Sequence, residues 1–275
     1  MTAFIPHTVD RKMVVLMPPT IDYLDGLSKS LSTNQKVYYM QQFNKLLIES
    51  GQTPLDLHRP YIIQVARFDP AKGIPDVIES YYLLRKQLKK MGKTVAPQLV
   101  IAGNASIDDP DGVPLYNLTR DTIRQKKYAD ICDDIKIARL PPNDQLLNTI
   151  TREGTVALQL SHKEGFEFKV TEALKFGLPL ISYKAGGIPL QMVNGVTGYV
   201  VPKIGDTQSV AKHLFDLFTN DKLYQRMSRG AIEHSRKDIS TVNNAVHWLW
   251  LALTVLQKGK LKTNTAHIYD LLPEA

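Results

Sequence analysis

Six short and mostly apolar stretches, with helix-patterned segments between them, restrict the fold of this chain more than any other feature. They are 61–66, 98–103, 134–140, 155–160, 178–183 and 198–201. A strand with one wet face alternates apolar and polar residues, whereas a run without alternation is covered on both faces, the habit of parallel sheets. The intervening segments supply that cover. Val77, Tyr81, Leu84 and Leu88 recur at helical spacing, and Pro75 sits where a first helical turn tolerates it. The expectation is an α/β chain, a Rossmann-like doubly wound parallel sheet flanked by helices. In such a sheet ligands gather beyond the carboxyl ends of the strands. Arg67, Asn104, Arg139, Ser161 and Tyr183 all stand at, or just past, the end of an apolar run.

The chain divides into three expected parts. Residues 1–60 read as an irregular interdomain connection, with one helix near 36–50. Residues 61–240 form the sheet domain. Residues 241–275 carry a helix marked by Val242, Val246, Leu249, Leu253 and Leu256, flanked by Trp248 and Trp250. That helix is apolar around much of its circumference and is expected to pack on a domain outside the chain.

Charge narrows the partners. Net charge is +7, yet the basic residues are interspersed with 27 acidic ones and form no block. Nucleic acid is therefore not expected, and anionic small molecules are. No apolar run reaches membrane-spanning length, and the single cysteine, Cys132, excludes an internal disulfide. The chain reads as cytoplasmic.

The densest chemistry lies between Ser161 and Gly198. Ser161-His162-Lys163-Glu164-Gly165-Phe166-Glu167-Phe168-Lys169-Val170-Thr171-Glu172 leaves a strand, turns at Gly165 and enters a helix. Free N–H groups at a helix start receive phosphate oxygens, and carboxylates there bind sugar or ribose hydroxyls. By pattern alone, two glutamates eight apart are more simply a helix-start carboxylate plus a solvated one than a ligand-binding pair. Asp109-Pro110-Asp111 imitates a metal-binding triplet, but no metal site is expected. Gly92-Lys93-Thr94 imitates the end of a phosphate loop, but Gln87 stands where its first glycine is required.

Glu164 and Glu172, followed by Gly177-x-Pro179 and Gly186-Gly187-Ile188-Pro189, resemble the Glu-x7-Glu signature of retaining glycosyltransferases with two Rossmann-like domains, the GT-B fold. Val65-Ala66-Arg67-Phe68-Asp69-Pro70-Ala71-Lys72-Gly73 resembles the basic signature of the same family. Leu190-Gln191 after Gly-Gly-Ile-Pro, Arg67-Phe68-Asp69-Pro70, and the acidic stretch 108–112 are similar to its trehalose-forming branch. That branch contains phosphorylases and nucleotide-sugar-dependent synthases, and Glu167 resembles the phosphorylases. The resemblance implies that residues 61–240 bind the glycosyl donor or phosphate. It implies reversible phosphorolysis of α,α-trehalose to α-glucose 1-phosphate and glucose, with a nucleoside diphosphate glucose as the alternative donor. Arg67 and Lys72 would hold phosphate, and Glu164 would bind the transferred glucose; these are the expected catalytic residues. Gly165, Phe166, Glu167 and Glu172 would complete the substrate-binding surface. No cofactor is implied, an N-terminal domain is expected to hold the acceptor, and homodimerisation is left open. A non-catalytic sugar-phosphate-binding half is the rival from another class.

Overall fold

The computed structural model describes residues 5–17, 20–93, 95–104, 112–238 and 240–272. The Asp109-Pro110-Asp111 triplet and most of the acidic stretch around it lie outside the described residues, as do Pro18, Pro19 and Thr94.

Six strands, β1 (Tyr61–Val65), β2 (Gln98–Asn104), β3 (Ile135–Leu140), β4 (Val156–Gln159), β5 (Leu180–Tyr183) and β6 (Gly198–Val201), form one parallel sheet in the order β3-β2-β1-β4-β5-β6. This is the doubly wound order, with its switch point between β1 and β4. The helices are α1 (Thr33–Glu49), α2 (Ile74–Lys90), α3 (Gly112–Ile123), α4 (Asp144–Arg152), α5 (Phe168–Lys175), α6 (Thr207–Thr219), α7 (Asp221–Asp238) and α8 (Thr241–Lys258).

The apolar runs bury both faces of the sheet, as their lack of alternation requires. Ile62, Leu99 and Ile101 face one core with Val77, Tyr81 and Leu84 of α2 and Val210 and Leu214 of α6. Ile63, Val65, Val100 and Ala102 face the other with Phe43 and Leu47 of α1, Leu146 and Ile150 of α4, and Val170 and Leu174 of α5. Each such side chain contributes roughly 1.5–3 kcal/mol by leaving water.

Three differences from the sequence reading have physical causes. Helix α1 starts at a capping box between Ser32 and Gln35, and it buries Met40, Phe43 and Leu47. The region upstream of residue 61 thus supplies part of the domain core rather than serving only as a connection. Helix α7 gives little sequence signal, because Met227 and Ala231 are buried on its packed side while Leu223 and Tyr224 pack there only partly buried. The helix-patterned segment expected between the second and third apolar runs is not one helix: α3 ends at Ile123, and a tight 3-10 turn from Ala129 to Asp134 follows before β3.

The two ends of the chain are tied together: Leu16 N–H donates to Ala266 O at 2.9 Å, and Tyr23 Oη donates to Ser235 O at 2.7 Å. Helix α8 leaves Val242, Val246, Trp248, Leu249, Leu253 and Leu256 exposed. Among the described residues no helix is long and apolar enough to cross a membrane.

Candidate functional site

The site is built where β1 and β4 lie side by side and their following segments diverge. After β1 the chain caps a 3-10 turn (Pro70–Lys72) with Asp69, whose carboxylate accepts from Ala71 N–H at 2.7 Å. It then reverses at Gly73, with φ of 62°, to start α2. A side chain at Gly73 would collide with the carbonyl of Leu160, so glycine is required both for its backbone angle and for the close approach of the two segments. Gln64, buried in β1, fixes the same junction: its Nε2 donates to Lys72 O at 2.9 Å and its Oε1 accepts from Leu160 N–H at 3.0 Å.

These constraints deliver Lys72 into the segment after β4. Its ammonium is hydrogen-bonded to both carboxylate oxygens of Glu164, one of them at 3.0 Å, and to Glu167 Oε2 at 2.6 Å. All three side chains are nearly shut off from solvent, at 10% exposure for Lys72, 8% for Glu164 and 11% for Glu167. One cation therefore serves two buried carboxyls. Burial pushes the Glu164 carboxyl up to about 7, and its hydrogen bond with Glu167 acts in the same direction. For Glu167 burial also raises the value, but the bonds from Glu164 and Lys72 outweigh it and hold the carboxyl below its usual range. Lys72 feels burial first, which lowers its value, and the two carboxylates overcome it and raise it. The two carboxyls are thus driven apart, Glu164 upward and Glu167 downward, beside a charged Lys72.

A cavity of about 140 Å³ opens over this cluster, lined by Val65, Ala66, Arg67, Lys72, Gly103, Glu167 and Lys169. Arg67 reaches it from the end of β1, is 56% exposed, and lies 3.3 Å from Asp69. Gly103 keeps the wall thin, since any side chain there would strike Ala66 O. Helix α5 points its first turn at the cavity, with one of its terminal amides engaged. Glu167 accepts from Lys169 N–H at 3.2 Å and adopts φ of 66°, the left-handed region that glutamate rarely enters. Of the N–H groups expected to be free at this helix start, that of Lys169 is therefore taken by a protein carboxylate. Glu172 is tied to Lys169, whose Nζ donates to both its oxygens, at 3.0 and 2.7 Å.

The glycine-rich loop after β5 braces the loop after β4. Gly187 N–H donates to Gly165 O at 2.6 Å, and a side chain at Gly186 would collide with Glu164 O. Gln191, buried, donates through Nε2 to Phe166 O and accepts from Thr171 Oγ1. The structure thus brings together Arg67, Lys72, Glu164 and Glu167, places Gly165 and Phe166 on the adjoining loop, and ties Glu172 to Lys169. Arg139, on β3, is two strands away from β1, and the side chain of Asn104 lies outside the described residues. His162 pairs with Asp76 at 2.8 Å. Lys169 and Gln64 were missed by sequence reasoning; the only signal for Lys169 was its i,i+3 spacing to Glu172. Among the described residues no group of three or more His, Cys, Asp or Glu could hold a metal ion.

Known proteins give this geometry its context. The chain is 42% identical over 98% of its length to a trehalose phosphorylase from Pleurotus pulmonarius, and it spans 37% of that relative's length. It is 30% identical over 90% of its length to a trehalose synthase from Thermococcus litoralis, spanning 55% of it. The fold superimposes on HepE from Anabaena, solved in complex with UDP and glucose, with a TM-score of 0.63 and 16% identity, over 86% of this chain and 55% of that one. Residues 48–234, from the end of α1 to the middle of α7, match the family of glycosyl transferases group 1, and this chain belongs to it.

Proposed function

We propose that the chain carries the phosphate- and donor-binding part of an enzyme that phosphorolyses α,α-trehalose reversibly to α-glucose 1-phosphate and glucose. The observation that carries this reading is the cavity of about 140 Å³ walled by Arg67, Lys72 and Lys169 at the switch point of the sheet. Its size and charge suit one phosphate group. The higher identity to a phosphorylase, 42% against 30% for a synthase, supports the same choice.

In this reading Arg67 and Lys72 hold phosphate and stabilise the charge that develops on it. A phosphate oxygen bonds to the anomeric carbon of one glucose while the bond from that carbon to the bridging oxygen breaks. The phosphate proton passes to the departing glucose oxygen. Glu164 binds hydroxyls of the transferred glucose, and the backbone of Gly165 and Phe166 lines the sugar's place. The acceptor glucose is held by a part of the protein beyond these residues, and the exposed face of α8 packs against such a part. Assembling both reactants in near-attack geometry then needs both parts.

The test is an assay of the full-length protein with glucose as acceptor. Trehalose formed from α-glucose 1-phosphate, with release of inorganic phosphate, supports the proposal. Turnover with UDP- or ADP-glucose, and none with glucose 1-phosphate, moves the reading to a nucleotide-sugar-dependent synthase.

A further inference from the structure

Lys169 occupies a position that helix stability does not explain. It is the second residue of α5, whose amino end carries the positive pole of the helix dipole, so a cation there is unfavourable. Its partner Glu172 is also placed at a cost: burial raises its carboxyl above the usual range, with Lys169 only partly opposing that. Exposed i,i+3 pairs are common and contribute a few tenths of a kcal/mol. This pair is largely enclosed, with side chains 26% and 13% exposed, and Lys169 lines the same cavity as Arg67 and Lys72. Of the cavity's cations, Lys72 is already matched by Glu164 and Glu167, and Arg67 is anchored by Asp69. A dianion entering this space gains from each further cation in its wall, and Lys169, although paired with Glu172, is the third one there among the described residues. Both oxygens of Glu172 are engaged in holding Lys169, which leaves that carboxylate occupied rather than presented to a ligand hydroxyl.

We propose that Lys169 is a third phosphate-binding cation of this site, and that Glu172 is its positioning residue rather than a ribose ligand. The substrate class that follows is inorganic phosphate and a sugar phosphate monoester, without a nucleoside. The inference rests on the phosphorolytic reading above and sharpens it.

The experiment uses the full-length protein, with inorganic phosphate as the calorimetric probe and phosphorolysis kinetics alongside. Lys169→Met keeps the alkyl stem and removes the charge; it is expected to weaken phosphate binding roughly 30-fold or more. Lys169→Arg should restore most of that loss, while the KM for glucose in the reverse direction stays within about twofold of wild type in both. Glu172→Gln is expected to raise the KM for phosphate by about 3- to 10-fold with little change in kcat, the mark of a group that acts through another. Unchanged phosphate binding in Lys169→Met overturns the assignment. So does an equal loss of glucose and phosphate affinity, which marks a general structural role. A Glu172→Gln variant that impairs use of UDP-glucose and spares phosphate returns Glu172 to the ribose. A wild-type protein that binds no phosphate overturns the phosphorolytic reading itself, whereas a binding-competent wild type with an indifferent Lys169→Met overturns this inference alone.

Discussion

Two buried charge clusters sit at opposite edges of the same sheet, and they are built with opposite balance. At the amino edge, Asp134 is shared by two arginines: Arg59 Nη1 at 2.7 Å, just before β1, and Arg85 from the last turns of α2. Arg59 also donates to Ala96 O at 2.7 Å, and Arg85 donates to Tyr81 Oη at 2.8 Å. Burial works to raise the Asp134 carboxyl, and the two guanidinium groups override it and hold it low. Asp134 gains from both cations, and each arginine gains from Asp134. At the carboxyl edge, one lysine serves two carboxyls, one of them pushed up to about 7, beside a glutamate in left-handed backbone. The amino-edge cluster is satisfied and ties together β1, α2 and the entry to β3. At the carboxyl edge the two carboxyls that share Lys72 are not both satisfied as ions, and strain and shifted acidity of this kind gather where a protein binds ligands.

The largest expected effect breaks the functional side of this contrast. Lys72→Met should lower phosphate affinity and phosphorolysis by about 30- to 1000-fold, the scale of removing one partner from a desolvated charge contact. Arg67→Ala should follow with a smaller loss, because its guanidinium is more exposed, and Lys45→Ala on α1 should do nothing. Equal phosphate binding by Lys72→Met and Lys45→Ala would remove phosphate from this cavity.

The structural side should break differently. Asp134→Asn leaves two half-buried arginines without their carboxylate and is expected to cost about 2–4 kcal/mol of stability. It should leave the kcat of the folded fraction unchanged. Because the Asp134 value is depressed, its contribution is present above the ordinary aspartate value and is lost as pH falls through the folded one. Thermal melts of wild type and variant should converge in acid; a constant gap across pH would contradict the ion-pair account.

Glu164 carries the reverse sign. Its folded value lies above the ordinary 4.5, so the folded state holds the extra proton between that value and about 7, and stability falls as pH rises through that window. Glu164→Gln should abolish this decline, and above pH 7 it should be the more stable protein. Sulfate, whose charge is constant over this range, should bind the wild type less tightly above about pH 7, by up to about tenfold per unit for one linked proton. A flat sulfate profile in the wild type, or the same slope in Glu164→Gln, would place the proton elsewhere.

Much of this fold was legible in sequence because the sheet writes itself in mostly apolar runs. Ile62 and Ile63 point to opposite cores, and each core needs apolar cover, so covered faces on both sides followed directly. The cations after β1 and the acids after β4 were legible because strand ends are where such a sheet collects ligands. Lys169 was not legible, since a lysine three residues before a glutamate is ordinary on any helix, and only the fold reveals that this pair lines a cavity. Nor was the Arg59–Arg85–Asp134 cluster, whose members are 26 and 49 residues apart along the chain and meet only through the sheet. The left-handed backbone at Glu167 was hidden for a simpler reason: nothing in a glutamate announces a positive φ.

That backbone angle gives the smallest and most specific prediction. At residue 167 two effects oppose each other. Glutamate in left-handed backbone costs about 1–2 kcal/mol relative to an unstrained site. In return its carboxylate caps Lys169 N–H at 3.2 Å and contacts Lys72 at 2.6 Å, interactions that contribute about 1–3 kcal/mol when a charged group takes part. Glu167→Gly removes both the strain and the contacts, so its net effect on stability should fall within about 1 kcal/mol of zero. Glu167→Ala loses the same contacts and keeps the strain, so it should be less stable than Glu167→Gly by about 1 kcal/mol. Residue 167 is the N-cap of α5, where glycine is preferred over alanine in any case, so the cap preference and the left-handed backbone act in the same direction. Paired denaturant melts of the two variants read their sum, free of the carboxylate they both lack. An alanine variant as stable as the glycine variant, or more so, would mean that residue 167 is not held at positive φ, and the carboxyl edge would lose its claim to stored strain while keeping its two carboxyls on one lysine.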